Sequence, residues 1–304
     1  MSLVSVIIPT FNRKPELLER SILSILKQSY KNFEILIIDD NYKDEYSYRI
    51  SSLVESFHDE RIIYAKNPKN IGGAKSRNKG IEIAHGKYIS FLDDDDFYLK
   101  DKLEKQVEFL ENNRFDFVIS NLAILDMSYR IKDLRTFSWF ENNGFTNEEL
   151  LLEHYKYHLT GTPTFMFRKE MLIDIGGFPN VEMGHEFHLV DKALKRNYKL
   201  GYMNEYFTIA IAHEGNRIST NDKRQKQLDN LLNYKLENLR DLKIKNKKRI
   251  LFRHYLAKTS DHLNHGRKTK AIQSSLKAFF NYPLAFIYEF FKLVAIKINN
   301  KGVI

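Results

Sequence analysis

The 304-residue chain contains no cysteine. That excludes a disulfide framework, a thiolate zinc site and a cysteine nucleophile, so a metal ion would have to be held by Asp, Glu, His or water. Long apolar runs are absent as well. The longest uncharged stretch toward the C-terminus, residues 278–288, contains Asn281 and Pro283, and it falls well short of the ~20 apolar residues that span a bilayer. The N-terminal run Val4-Ser5-Val6-Ile7-Ile8 has no basic segment ahead of it and meets Pro9, which reads as a buried strand and not as a leader. Neither a P-loop lysine motif nor a G-x-G-x-x-G occurs, so neither a Walker NTPase nor a dinucleotide enzyme is supported. What is present, 43% hydrophobic and 29% charged residues, suits one large or two smaller globular domains.

Charge is unevenly spread. The net +9 arises from residues 222–304, with 19 Lys/Arg against 6 Asp/Glu, while residues 1–221 hold 29 against 33. An acidic body with a basic tail argues against a protein whose main surface reads nucleic acid, and for a tail that meets something anionic, a phospholipid surface first.

The first half alternates strand and helix. Residues 4–8 and 34–38 are β-branched runs of buried-strand type, and Leu18, Ile22, Ile25 and Leu26 stand at helical spacing between them. Strand-like runs at 61–64, 88–92 and 115–120 alternate with helical patterns at 73–85 and 99–112. Repeated βαβ order predicts an α/β fold with a mostly parallel, doubly wound sheet flanked by helices. The pattern weakens over 126–157, read as loop plus a short helix, and strand and helix return over 164–212. Residues 1–221 are therefore expected to form one domain, divided near residue 122, with 222–304 as a basic helical extension.

In an open parallel sheet ligands bind outside the carboxyl ends of the strands. Three polar clusters directly follow strand-like runs: Thr10, Phe11 and Asn12; Asp39 and Asp40; and Asp93, Asp94, Asp95 and Asp96. Successive aspartates repel one another, and a site that also received a diphosphate would need a divalent cation, Mg2+ or Mn2+, between them. A solvated acidic turn at the start of the next helix is the plain alternative. Gly72-Gly73 opens a helix carrying Lys75, Arg77 and Asn78, which can set backbone N–H groups and a guanidinium against phosphate, or be no more than a helix start.

Taken in order, Val4 through Arg13, Ile37-Ile38-Asp39-Asp40, Asn70-Ile71-Gly72-Gly73 through Gly80, and Tyr88 through Asp96 resemble the family 2 glycosyltransferases of the GT-A fold, inverting nucleotide-sugar enzymes, over about residues 3–220. The resemblance implies that Pro9, Thr10 and Phe11 line the nucleoside pocket, that Asp40 accepts a hydrogen bond from uracil, and that Arg77 lies near the nucleotide. The donor is then a UDP-sugar. Asp93, Asp94 and Asp95 cover the family's D-x-D motif, with Asp95 as the metal ligand. Gly176-Gly177-Phe178 leads to Gly184-His185-Glu186, where the resemblance makes Glu186 the general base on the acceptor hydroxyl. The family more often has Asp there and an acid where His185 stands, so His185 remains a second candidate for the proton. His213 matches a loop histidine that reaches the metal or diphosphate, and Arg217 and Ser219 a loop that closes over the donor.

The implied activity is transfer of a hexosyl or N-acetylhexosaminyl group to a hydroxyl of a glycan or lipid-linked glycan in cell-surface polysaccharide synthesis. Acceptor selectivity is expected in residues 126–164. Leu284, Phe286, Ile287, Phe290, Phe291, Val294 and Ile298 with Lys277, Lys292, Lys297 and Lys301 make a basic, aromatic amphipathic tail. It suits the inner face of the cell membrane, with packing on the body or a second subunit as the alternative. A cytoplasmic, peripheral protein is expected. Two rivals share such a sheet. A sugar-phosphate nucleotidylyltransferase needs a glycine-rich loop after the first strand, where this chain has Pro9-Thr10-Phe11-Asn12-Arg13. A non-catalytic nucleotide-sugar-binding or membrane-scaffold protein would tolerate substitution at Asp95 and Glu186.

Overall fold

The computed structural model describes residues 1–142, 144–159, 161–212, 221–239 and 243–299. His213, Arg217 and Ser219 lie outside them.

The N-terminal half runs β1 (Val4–Thr10), α1 (Pro15–Leu26), β2 (Phe33–Asp39), α2 (Asp44–Ser56), β3 (Ile62–Lys66), α3 (Gly73–Ile83), β4 (Tyr88–Phe91), β5 (Phe97–Tyr98) and α4 (Lys102–Asn112). Every residue of β2 is buried, the signature of a strand covered by helices on both faces. Helix α1 starts with Pro15 in its first turn, where a missing N–H costs nothing, and buries Leu18, Ile22 and Ile25. Strands β3, β2, β1 and β4 are parallel neighbours in that order.

There follow β6 (Phe117–Asp126), β7 (Ile131–Arg135), α5 (Asn147–Tyr157), a 3-10 turn (Thr162–Thr164), β8 (Met166–Arg168), α6 (Lys169–Asp174), α7 (His185–Lys195) and β9 (Leu200–Ala212). Beyond β4 the sheet is mixed: β8 is antiparallel to both β4 and β6, β9 is parallel to β6, and β5 closes the edge against β9. The expected, mostly parallel sheet is thus parallel throughout its first four strands and mixed beyond them, where only β6 and β9 run parallel among the described strands. Besides the short β5 and α6, which have too few residues to show a period, two longer elements differ from the sequence reading. The stretch from 126 opens with a hairpin, β6 pairing with β7, where only loop and helix were expected. Helix α2 fills an interval where none was expected, because it buries only Ser47, Ile50 and Val54 and so shows little periodicity.

The chain separates into two compact units. One comprises Met1–Glu148, Leu159–Asn180 and His185–Ala212 and contains the whole sheet. The other takes Glu149–His158, Val181–Gly184 and the later helices α8 (Asn221–Asn238), α9 (Ile244–Asn264), α10 (Lys268–Asn281) and α11 (Pro283–Asn299). Phe252, Ala278 and Ala285 center its small core. Among the described residues no helix is long and apolar enough to cross a membrane.

Candidate active site

Because β1, β2 and β4 are parallel, the polar residues after each open on one edge. Asp40 N–H donates to Thr10 O at 2.9 Å and Leu92 N–H to Ile7 O at 3.0 Å, continuing the ladder past the strands. Asn41 Oδ1 accepts from Asn12 N–H at 2.7 Å, supporting the left-handed backbone of Asn12 (φ 51°).

The two aspartates after β2 do different work. Asp39 is spent internally: Oδ1 accepts from Asn41 N–H at 2.9 Å and Asn41 Nδ2 at 2.6 Å, and Oδ2 from the Tyr64 hydroxyl at 2.6 Å. Burial and then this bond push the Tyr64 hydroxyl above its ordinary value. Asp40 holds the entry to α3, Oδ1 accepting from Asn67 Nδ2 and Ile71 N–H at 2.9 Å each and Oδ2 from Gly72 N–H at 2.8 Å. Gly72 sits at φ 85°, a conformation only glycine adopts freely. Oδ2 keeps a second acceptor position.

The four aspartates after β4 are held by counter-charges and by α1. Arg13 Nε contacts Asp94 Oδ1 at 2.8 Å and its terminal nitrogen Asp95 Oδ2 at 3.0 Å, while Arg77 pairs with Asp93. Asp94 is only 5% exposed. Burial, then the charges of Asp95 and Asp93, push its carboxyl up to about 6 against the pull of Arg13. Asp96, buried and raised by that burial, accepts from Ile211 N–H at 2.9 Å and so ties the turn to β9. One face of α1, with Gln28 just beyond its C-terminus, binds the turn's backbone. Arg20 donates to Asp95 O, Ser21 Oγ to Asp96 O at 2.6 Å, and Gln28 Nε2 to Leu99 O at 2.8 Å, while Ser24 Oγ accepts from Tyr98 N–H at 3.1 Å. Arg20, Ser21, Ser24, Gln28 and Asn67 are not among the residues the sequence marks for the site, and Arg13 has no role assigned from it. A polar stripe at helical spacing beside the apolar one of α1 was the available signal.

The turn before α7 is fastened to the same edge. Asn78 Nδ2 donates to Phe178 O and Asn78 Oδ1 accepts from Phe178 N–H, both at 2.8 Å. The Phe178 ring stacks edge-on against Phe91 of β4 at 5.1 Å, with the Arg77 guanidinium 5.7 Å away. Gly177 (φ 58°) has Asn78 Oδ1 2.4 Å from where a Cβ would stand, so both its backbone and the clasp require glycine. Lys192 of α7 donates to Gly177 O at 3.0 Å. Arg77, Asp93 and Phe178 are thereby brought together, and α7 is joined to them through Gly177.

Glu186 lies in the first turn of α7, half-buried, and among the described residues no group pairs with its carboxylate. His185 Nδ1 lies 3.3 Å from Pro179 O. Neither touches the aspartates. A cavity of about 790 Å3 beside α1, lined by Arg20, Leu23, Phe97, Leu99 and Tyr129 among others, contains none of the expected site residues.

Among the described residues no three His, Asp or Glu side chains form a ready-made metal nest. The donor set nevertheless fits a hard cation: Asp93 and Asp95 offer carboxylate oxygens at a strand end and already draw guanidinium groups. Mg2+ and Mn2+ sites of this type use one or two carboxylates completed by substrate phosphates.

Residues 5–176 match the family described as glycosyl transferase family 2. An uncharacterized glycosyltransferase of Methanocaldococcus jannaschii is 31% identical over 207 residues, 67% of this chain and 69% of that protein. Escherichia coli WfaP, named as a UDP-Glc:alpha-D-GlcNAc-diphosphoundecaprenol beta-1,3-glucosyltransferase, is 39% identical over 124 residues, 41% of this chain and 47% of that one. Against WfaP and several other curated relatives the match spans half of their length or less. Among solved structures, S. aureus TarS 1-349 in complex with UDP-GlcNAc is similar with a TM-score of 0.61 at 17% identity, covering 92% of this chain and 91% of that one. The mannosyltransferase PcManGT of Pyrobaculum calidifontis, in complex with GDP-Man and Mn2+, gives 0.58 at 17%, covering 98% and 82%. These two likenesses speak to the fold. The family match takes in more than half of the chain, including Thr10, Asp40, Arg77 and all four aspartates, and the chain therefore belongs to glycosyltransferase family 2, an enzyme of the GT-A fold.

Proposed function

We propose that the enzyme moves a sugar from a UDP-sugar to a hydroxyl of a glycan or lipid-linked glycan, with inversion at the anomeric carbon, in cell-surface polysaccharide synthesis. The observation that carries this reading is the gathering of Asp93, Asp94 and Asp95 with Arg13 and Arg77 beside the ends of β1 and β2. WfaP, whose name gives UDP-Glc as donor and a diphosphoundecaprenol-linked sugar as acceptor, supports the choice of donor and acceptor class.

In this reading Pro9, Thr10 and Phe11 border the nucleoside, and the Phe11 ring, 6.2 Å from that of Tyr42, offers an apolar surface for the base. Asp40 uses the open acceptor position on Oδ2 for the uracil N–H. Arg77 and Arg13 turn toward the diphosphate once it displaces their present partners, and Asp93 and Asp94 fix the arginines until then. Asp95, with His213, holds Mn2+ or Mg2+. A cation bound there offsets the charge that builds on the departing diphosphate. Glu186 removes the proton from the acceptor hydroxyl as that oxygen attacks the face opposite the leaving group, with His185 as the alternative base. Asn12 supports the β1 edge, Asp39 and Asp96 keep the strand ends in place through their internal bonds, and Arg217 and Ser219 close over the donor.

Calorimetric titration of UDP with Mn2+, then with excess chelator, on the wild type and Asp95→Asn tests the site without the right sugar or acceptor. Metal-dependent binding that disappears in the variant is expected. Binding of GDP in place of UDP would overturn the uracil reading of Asp40. Failure of both nucleotides would sink the donor site itself.

A further inference from the structure

Helices α10 and α11 each carry two apolar faces, where a helix on a surface has use for one. The inner face packs: Ala271, Ser274 and Ala278 of α10 and Ala285 of α11 are buried, and Ala278 and Ala285 pack with Phe252 of α9. The outer face is bare. Ile272, Leu276 and Phe280, four residues apart on α10, are 62%, 52% and 73% exposed, and Leu284, Ile287 and Phe291 of α11 are 80%, 44% and 63% exposed. Scattered apolar side chains on a surface need no explanation, but a stripe with helical period does.

The surrounding charge identifies what covers it. No carboxylate occurs between Asp261 and Glu289, and Glu289 is paired with Arg253 at 3.1 Å. Lys268, Lys270 and Lys277 are exposed. At 3.6 residues per turn, Lys268 borders one side of the α10 stripe while Lys270 and Lys277 border the other. Lysines flanking an aliphatic and aromatic stripe match an interface whose outer layer is anionic and whose interior is apolar. A second copy of this chain fits poorly, since a two-fold contact through this face would set the same lysines against each other with no carboxylate to answer them.

We propose that the outer faces of α10 and α11 lie in the headgroup layer of an anionic phospholipid bilayer, apolar side chains toward the acyl chains and the flanking lysines at the phosphates. The inference adds residues 272, 276 and 280 to the tail that sequence reasoning singled out. It stands apart from the transferase reading, because it is measured on lipid alone.

The test is sedimentation of the full chain with vesicles of phosphatidylcholine, alone or mixed with phosphatidylglycerol, at low and high salt. Binding confined to the mixed vesicles and weakened by salt is expected. Leu276→Glu with Phe280→Glu should lower the partition coefficient by at least about tenfold through the apolar term. Lys268→Gln with Lys270→Gln, a change at two exposed lysines that spares Lys277 over the Tyr255 ring, should lower it by about thirtyfold. Both variants should keep the far-ultraviolet spectrum and UDP affinity of the wild type. Absent or equal binding by wild type and both variants would overturn the proposal. So would a concentration-dependent dimer, seen by light scattering without vesicles and abolished by Leu276→Glu with Phe280→Glu.

Discussion

The carboxyl ends of β1, β2 and β4 and the first turn of α7 are built in opposite ways. At the strand ends the carboxylates are engaged: those of Asp39 and Asp40 each accept three hydrogen bonds, Arg13 spans two others, and the backbone from Asp95 to Leu99 is bound by α1 and by Gln28 just beyond it. At α7 the Glu186 carboxylate stands half-buried and unpaired among the described residues. In the proposed reading this region holds its guanidinium groups on carboxylates until a diphosphate displaces them, so the arginines have only to turn in place to meet the phosphates. A base needs the reverse, a lone pair left open for the proton it takes.

The contrast breaks most visibly at Glu186. Glu186→Gln should lower kcat by about a thousandfold, within the range of a lost general base, while UDP affinity measured by calorimetry stays at the wild-type value. Turnover retained in this variant and lost in His185→Gln would move the base by one residue and leave the comparison standing. A parallel loss of UDP affinity in Glu186→Gln would dissolve it, because the two regions would then act as one.

Asp94 sharpens the other side. Its folded pKa of about 6 lies above the ordinary 3.8, with burial the leading cause. A raised acid contributes stability that is complete below 3.8 and is lost as pH rises through about 6. Above that range the buried anion costs the metal-free fold about 3 kcal/mol relative to a neutral side chain. Asp94→Asn should therefore unfold at higher denaturant concentration than wild type at about pH 8, with the gap closing toward pH 4. Arg13 keeps Asp95 at 3.0 Å in the variant, so its charge is not stranded. If Asp94→Asn is instead the weaker protein at pH 8, the Arg13 pair outweighs burial and the edge is held together by charge alone.

Why one region was legible in the sequence and the other only in part follows from the same physics. Runs such as residues 34–38 must be apolar on both faces to sit inside the sheet, and polar residues directly after them can only lie at its edge. Asp40 and Asp93 through Asp95 are therefore recognizable as edge residues from the amino-acid order alone. Strand direction leaves no such mark. β8 has three residues and pairs antiparallel on both sides, yet its apolar sequence would serve equally in a parallel strand. The β6–β7 hairpin turns at Tyr129, whose φ of 59° is borne by a residue that advertises no turn. Arg20, Ser21, Ser24 and Gln28 escaped notice because a polar helix face ordinarily means solvent, and only the packed turn shows that it faces backbone carbonyls.

Lys102 links β4 to the segment at Thr164 and gives the smallest expected effect. Fully buried, it donates from Nζ to Ser90 Oγ of β4 at 3.0 Å and Gln106 Oε1 at 2.6 Å, 4.4 Å from the Tyr98 ring, while Gln106 Nε2 donates to Thr164 O at 2.9 Å. Burial lowers its amine well below 10.5. For a base so depressed the unfolded chain binds the extra proton, so stability falls as pH drops from 10.5 toward the depressed value, opposite in sign to the slope from Asp94. Lys102→Met removes that slope. At about pH 8 it should change stability by only about 1 kcal/mol, because relief of the buried amine offsets the bond lost at Gln106. If this pair sets the spacing between β4 and the segment at Thr164, acceptor KM should rise severalfold in Lys102→Met while UDP affinity holds. Equal losses in both would mean that the amine supports the donor edge alone, and that the acceptor side is positioned without it.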